Sequence, residues 1–294
     1  MAYKQAMVLA AGLGTRLKPF SLIRPKPLFP VLDVPLLCRT IKQLQNAGFH
    51  LITVNAHHLK EQIARQLENE SDIILQLEDN ILGTGGGMRL ASEHFGKEPV
   101  LVINGDIFHD INLHEIYKQH CSSNAEVTLV MHDLARFNNV WVDGRERIKA
   151  FGSECPIRED DWCQLAFTGI HVVNPEVLKS MPLLEFYDII DCYRECMKKG
   201  IPIKANVVRN HFWTDMGTPA DYLKLHEHLL SLPTATSRIH LGEDVIMGPN
   251  ASLDDWVSIG SHAEIGRKAK LTRVVVWDGV KVKPGAVLTD VIVA

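Results

Sequence analysis

From Leu241 onward the chain repeats every six residues, a period that neither an α-helix nor a flat amphipathic strand can carry. Read in sixes, the segment gives L-G-E-D-V-I, M-G-P-N-A-S, L-D-D-W-V-S, I-G-S-H-A-E, I-G-R-K-A-K, L-T-R-V-V-V and W-D-G-V-K-V. The first position is apolar throughout: Leu241, Met247, Leu253, Ile259, Ile265, Leu271 and Trp277. The fifth is small or β-branched until Lys281: Val245, Ala251, Val257, Ala263, Ala269 and Val275. One inward apolar residue per short strand predicts hexapeptide coils, a β-helix with a narrow core. The frame slips at Lys283. Ser231 to Arg238, with Pro233 and its Ser/Thr neighbours, reads as a linker, so two domains are expected, 1–232 and 239–294.

Before the linker, short apolar strands alternate with helices. Strands are expected over Ala6 to Ala10, Leu51 to Asn55, Ile73 to Leu77, Val100 to Ile103 and Val127 to Met131. One helix has Asp33 as its N-cap, Leu37, Ile41 and Leu44 on one face, and Gly48 as its stop. A second runs through Leu59, Ile63 and Leu67. This alternation predicts an α/β fold with a mostly parallel sheet covered on both faces. Ligands in such sheets sit at the carboxyl ends of strands.

Composition excludes some classes. The 294 residues are 46% hydrophobic and 22% charged, with a formal net charge of −4. That balance excludes a general attraction to nucleic acid or anionic lipid. Six cysteines, at Cys38, Cys121, Cys155, Cys163, Cys192 and Cys196, include no C-x-x-C pair and read as free cytosolic thiols. The first apolar stretch is too short for a membrane span and lacks a signal-peptide layout, so a cytoplasmic location is expected.

The chemistry concentrates in A-A-G-L-G-T-R-L-K-P, Ala10 to Pro19, followed by R-P-K-P at Arg24 to Pro27. Glycines let backbone N–H groups close around phosphate oxygens, and Arg16, Lys18, Arg24 and Lys26 add positive charge. No Gly-Lys-Ser/Thr follows, so this is not a Walker loop. No third glycine follows Gly12 and Gly14, so it is not a dinucleotide fingerprint.

The loop and the run Pro25-Lys26-Pro27-Leu28 together resemble the signature of the sugar-1-phosphate nucleotidylyltransferases, G-x-G-T-R-L-x-P then P-K-x-L. The resemblance implies a Rossmann-like (GT-A type) catalytic domain over 1–232, followed by a left-handed β-helix. It implies that Leu9, Ala10, Ala11, Gly12, Gly14 and Thr15 hold the nucleotide, that Arg16 meets the triphosphate, and that Lys26 neutralises charge during transfer. Asp106 of N-G-D and Asp215 of W-T-D-M-G-T match the family's metal carboxylates, and Mg²⁺ suits two hard oxygen ligands beside phosphates. Gly83, Thr84 and Gly85 of L-G-T-G-G-G match the stretch that packs on base and ribose, and Glu78 the position that reads the base edge. A carboxylate accepting two N–H donors leans toward guanine. Thr168 and Gly169 of F-T-G-I-H-V border the sugar by the same resemblance, with Asn104 and Asn139 as hydroxyl contacts. His57 and His58 read as surface or capping residues, with support of the loops as the alternative.

One position departs from the pattern. Relatives carry E-K-P where this chain has Glu154-Cys155-Pro156, which removes a lysine that meets the sugar phosphate. From G-T-G-G-G, V-N-A-H-H and W-x-D-x-G-T, the nearest types are the mannose-1-phosphate guanylyltransferases and the N-acetylmuramate-1-phosphate uridylyltransferases. The implied reaction joins an NTP, GTP or UTP, to a sugar 1-phosphate and releases pyrophosphate. A non-catalytic nucleotide-sugar-binding subunit of the same fold is the alternative, and transfer to a phospho-amino-alcohol a third. The β-helix is expected to serve as scaffold or oligomer contact; acyl transfer would need more coils and a catalytic histidine, for which only His262 is placed.

Overall fold

A computed structural model describes residues 4–152, 154 and 159–294. The chain divides into two compact units, Met1–Leu13 with Thr40–Trp213, and Gly14–Arg39 with Thr214–Ala294. The division does not follow the linker near Ser231. The second half of the glycine loop, the R-P-K-P run and the helix Pro219–Leu230 all belong with the coils.

The first unit is built on a nine-stranded mixed sheet. Its centre is parallel: Val100–Asn104, Lys4–Leu9, Phe49–Ala56 and Ile73–Leu77 lie side by side in that order. Cys163–Val173 runs antiparallel to Val100–Asn104, and Val127–His132 pairs with it and, in parallel, with Ile203–Val208. Unbroken apolar runs such as Val100 to Ile103 are wholly buried, as expected for strands covered on both faces. The predicted strands match within two residues at each end.

The first helix occupies Leu36–Asn46 and buries Leu37, Ile41 and Leu44, but Asp33 is not its cap. Leu32 and Asp33, at φ 47° and 69°, form the turn between the short strands Pro30–Val31 and Val34–Pro35. The Asp33 carboxylate instead accepts from the Ser261 N–H at 2.9 Å and from the Ser261 hydroxyl. An aspartate before a helix reads as a local cap in sequence; here a distant donor took it.

In the second unit, two stacked parallel ladders form the walls of the coils. One joins Ile239–Leu241, Ser252–Ile259, Lys270–Val276 and Val287–Val293; the other joins Ile246–Met247, Glu264–Ile265 and Lys281–Val282. The hexapeptide frame slips earlier than Lys283. Asp254 faces Thr272, eighteen positions on, whereas Val257 faces Val274, seventeen on. The turn at Arg273 is one residue shorter than the turn before it. The coil core therefore takes Val274, Val276 and Val282, not Val275 and Trp277. An indole is too bulky for that narrow interior, and the lost residue turns Trp277 outward. Its ring packs instead on Phe29, Phe20 and the Arg24 guanidinium.

Successive turns carry a charge ladder. Arg238 pairs with Asp255 at 2.7 Å, Asp255 with Arg273 at 3.6 Å, and Arg273 with Asp290 at 2.6 Å.

Several histidines lie inside the two units as neutral groups. His171 sits between Phe167 and Tyr193, and neither ring nitrogen has a hydrogen-bond partner among the described residues. Burial holds it down at about 3, and likewise holds His109 and His226 at about 4. His226 accepts at Nε2 from the Leu32 N–H and contacts the Tyr222 carbonyl through Nδ1, which fixes one neutral tautomer. An unfolded histidine titrates near pH ~6.5, so between that value and pH ~3–4 the unfolded chain binds more protons. Stability therefore rises with pH in this window and falls on acidification. Denaturant titrations from pH 7 to 4 should show this loss. His171→Phe, which removes two unpartnered nitrogens at similar volume, should flatten part of it without lowering stability at pH 7.

Candidate active site

In the first unit, the carboxyl ends of three parallel strands align Leu9 with Asn55 on one side and with Asn104 on the other. The chain leaves the sheet at Ala10, whose N–H donates to the Asn55 side-chain oxygen at 2.8 Å. Asn55 in turn donates to Glu78 Oε1 at 2.8 Å, and Gln76 donates to the same oxygen at 3.1 Å. Gln76 also donates to the Gly87 carbonyl. All three side chains are buried, and Glu78 Oε2 has no hydrogen-bond partner among the described residues. One carboxylate oxygen is thus held by two amides and the other is buried without a partner among the described residues.

This network explains a glycine. A Cβ at Gly87 would lie 2.7 Å from Asn55 Nδ2 and 2.9 Å from Glu78 Oε1. The neighbouring glycines of L-G-T-G-G-G also face protein. Gly85 and Gly86 donate to the Tyr187 carbonyl, and the Thr84 hydroxyl accepts from the Ile189 N–H at 3.0 Å, at the start of the helix Ile189–Lys198. Gly83, half-buried at φ 71°, opens the helix Gly83–Ala91. His57 approaches the Glu78 carbonyl at 3.0 Å and so supports this loop, more than a surface residue would.

Asp106 is half-buried directly after Gly105, whose N–H donates to the Leu9 carbonyl at 2.8 Å. Asn104 fills the space that a Cβ at Gly169 would need, only 2.5 Å away. Thr168 is wholly buried: its hydroxyl donates to the Val130 carbonyl, and its own carbonyl accepts from the Trp213 indole at 2.8 Å. It shapes the bulge around Gly169 from within. Asn139 is exposed and bonded through its backbone to Leu165 and Gly152. Cys155 and Pro156 lie outside the described residues.

The second unit carries the cations of the glycine loop. Gly14 adopts φ 61°, and the turn Thr15–Leu17 is pinned by buried Leu17 while Thr15 and Arg16 stay exposed. Arg16 reaches Asp215 at 3.6 Å, and Asp215 Oδ1 is buried without a hydrogen-bond partner among the described residues. Gly217 has no room for a Cβ, because the Asp215 carboxylate and the Arg16 guanidinium lie 2.6 and 3.0 Å from that position. Lys26 is buried at the start of the turn Lys26–Leu28, and its Cβ lies 3.5 Å from where a Gly14 Cβ would be. Arg24 does not join this group: its guanidinium forms a bidentate pair with Asp278 at 2.6 and 3.0 Å.

Among the described residues no cluster of three or more His, Cys, Asp or Glu side chains could hold a metal by itself. A cation at Asp215 would take further ligands from phosphate and water, as Mg²⁺ commonly does. The unpartnered Asp215 oxygen fits such a ligand. No described helix is long and apolar enough to cross a membrane.

The family model described as nucleotidyl transferase matches residues 5–231. The chain belongs to the nucleotidyl transferase family. It is 28% identical to the mannose-1-phosphate guanylyltransferase of Mycobacterium tuberculosis, over 96% of this chain and 82% of that protein. It is also 28% identical to the UTP–glucose-1-phosphate uridylyltransferase of Synechocystis, over 95% of this chain and 76% of that one. HddC of Yersinia pseudotuberculosis, solved with GMP-PN, shares the fold at TM-score 0.63 and 21% identity, over 77% of this chain and 99% of that structure. The signature is thereby borne out as that of a sugar-1-phosphate nucleotidyltransferase.

Sequence reasoning missed Asn55, Gln76 and Gly87. A single amide ending an otherwise apolar strand, as in L-I-T-V-N-A, is the signal that marks Asn55. Asn55→Leu should leave the Ala10 N–H without its acceptor and remove one of the two amide donors to Glu78 Oε1. An unsatisfied buried group costs about 1–3 kcal/mol, and a hydrogen bond to a charged group is worth about 1.5–3 kcal/mol. Chemical denaturation should therefore register a loss of about 2–5 kcal/mol, and equilibrium dialysis weaker nucleotide binding.

Proposed function

We propose that this enzyme transfers the guanylyl group of GTP to mannose 1-phosphate, giving GDP-mannose and pyrophosphate. The observation that carries the base assignment is Glu78, a carboxylate with one oxygen fixed by Asn55 and Gln76 and the other unpartnered. Guanine offers adjacent N–H donors along one edge; uracil offers one donor between acceptors. Similarity to a mannose-1-phosphate guanylyltransferase over 96% of this chain and 82% of that protein supports the acceptor.

The sugar phosphate needs no activating base, because a phosphate monoester loses its second proton near pH ~6. Its oxygen forms a bond to the α-phosphorus while the bond from that phosphorus to the bridging oxygen breaks in line, and the electron pair leaves with pyrophosphate. The protein supplies alignment and charge balance. Arg16, exposed and already leaning on Asp215, can swing to the triphosphate with little reorganisation. Lys26, fixed by its burial, presents a preorganised cation. Asp106 and Asp215 are the carboxylates we assign to Mg²⁺, which when bound would neutralise phosphate charge.

A pyrophosphate-release assay of four NTPs against mannose, glucose and N-acetylmuramate 1-phosphates should be fastest with GTP and mannose 1-phosphate; a preference for UTP would overturn the base assignment. Glu78→Gln should lower kcat/KM for GTP by about 10–100-fold, the worth of a hydrogen bond to a charged group, with a smaller effect on UTP. Lys26→Ala and Asp106→Ala should each lower kcat at least ~10²-fold, the scale of one preorganised electrostatic contact. Turnover near that of the parent enzyme would remove that residue from the mechanism.

A further inference from the structure

We infer that the β-helix positions the triphosphate-binding loop, through Asp278 and Trp277 gripping Arg24, and so takes part in catalysis beyond serving as a scaffold. The inference rests on the nucleotidyl-transfer reading above. Every contact it uses lies within the second unit.

The loop between Arg16 and Lys26 has little regular structure, only three single turns of 3-10 helix at Thr15–Leu17, Phe20–Leu22 and Lys26–Leu28. Such a segment cannot hold two catalytic cations in place through its own backbone bonds. Its fixation comes from the turn after Lys270–Val276. Asp278 takes the Arg24 guanidinium through both oxygens, the geometry that most restricts a guanidinium. The guanidinium carbon stands 4.7 Å from the centre of the Trp277 ring, so the same side chain is also stacked. Phe29 meets that ring edge-on at 4.8 Å, and Phe20 lies 5.9 Å from it. The Trp277 N–H donates to the Tyr222 hydroxyl, which donates to the Pro30 carbonyl. Arg24 and Phe29 bracket Lys26 in sequence, and Phe20 follows Arg16 by four residues. Both cations thus hang on residues anchored to one indole and one carboxylate of the coils. The Arg24 side holds the Asp278 carboxyl below the usual carboxylate range, which agrees with a persistent pair.

The anchor exists because of the short turn at Arg273. With a full eighteen-residue circuit Trp277 would fall in the coil core, and no aromatic would face the loop.

Asp278→Ala and Arg24→Ala each test this in the whole 294-residue chain. Each should raise KM for the NTP about 10-fold and leave KM for the sugar phosphate unchanged. That effect lies between the ~5-fold worth of an exposed ion pair and the ~100-fold cost of a misplaced catalytic group. The double variant should be no worse than either single one, and Asp278→Glu should recover most of the loss. Hydrogen exchange, which needs no turnover, should show faster exchange over residues 14–28 in Asp278→Ala, with the strands from Ile239 to Val293 unchanged. Unaltered NTP KM together with unaltered exchange in the loop would overturn the inference. Absence of pyrophosphate release by the parent enzyme with every NTP and sugar phosphate would instead sink the nucleotidyl-transfer reading, and the exchange experiment would still decide the anchoring.

Discussion

The central sheet ends at Leu9, and the chain must leave a dry interior there without abandoning its backbone polar groups. Much of the first unit follows from how that is solved. The Ala10 N–H goes to Asn55 and the Leu9 carbonyl to Gly105, so the glycine loop and Asp106 depart from fixed points. Asn55 then has a second hydrogen bond to give, and Glu78 receives it. A backbone requirement at a strand end thereby places the carboxylate assigned to the base. Buried amides and acids of this kind are costly unless every partner is present, which is why the helix Gly83–Ala91 must bring a glycine, Gly87, against them.

The second unit solves a different problem with different materials. The segment from Gly14 to Leu28 has no sheet of its own, so side chains of this unit do the holding: an indole, a phenol and a carboxylate. Arg24, which looks in sequence like one more cation for the phosphates, is neutralised by Asp278. Arg16 stands exposed beside Asp215, while Lys26 is buried. On the proposed reading the two cations suit different tasks, one meeting the triphosphate as it arrives and one fixed beforehand.

The fold was largely legible because its periods are physical. Buried parallel strands must be apolar throughout, and coils must return an apolar side chain inward once per short strand. Ile73–Leu77 was placed to the residue on that basis. Two readings failed for one cause. Asp33 as a helix cap and Arg24 as one more cation for the glycine loop were each read from near neighbours in sequence, and each is held by a residue more than fifteen positions away; Trp277 left the coil core for a local reason, the residue missing from the turn at Arg273. Thr168 is similar: the motif sets it beside the sugar, whereas its hydroxyl and carbonyl both serve the shape of the bulge. Short contiguous motifs stood out in the sequence, and long-range pairings, such as Asn55 with Glu78, did not.

The alternation Arg238, Asp255, Arg273, Asp290 bears on how such a domain could grow. A one-residue change is absorbed at a turn, as at Arg273, where the later rung stays paired. Duplicating one circuit would keep the rungs aligned but set two like charges next to each other, which repel. Duplicating two circuits would restore the sequence of signs. Lengthening in pairs is therefore the change this architecture accepts most readily.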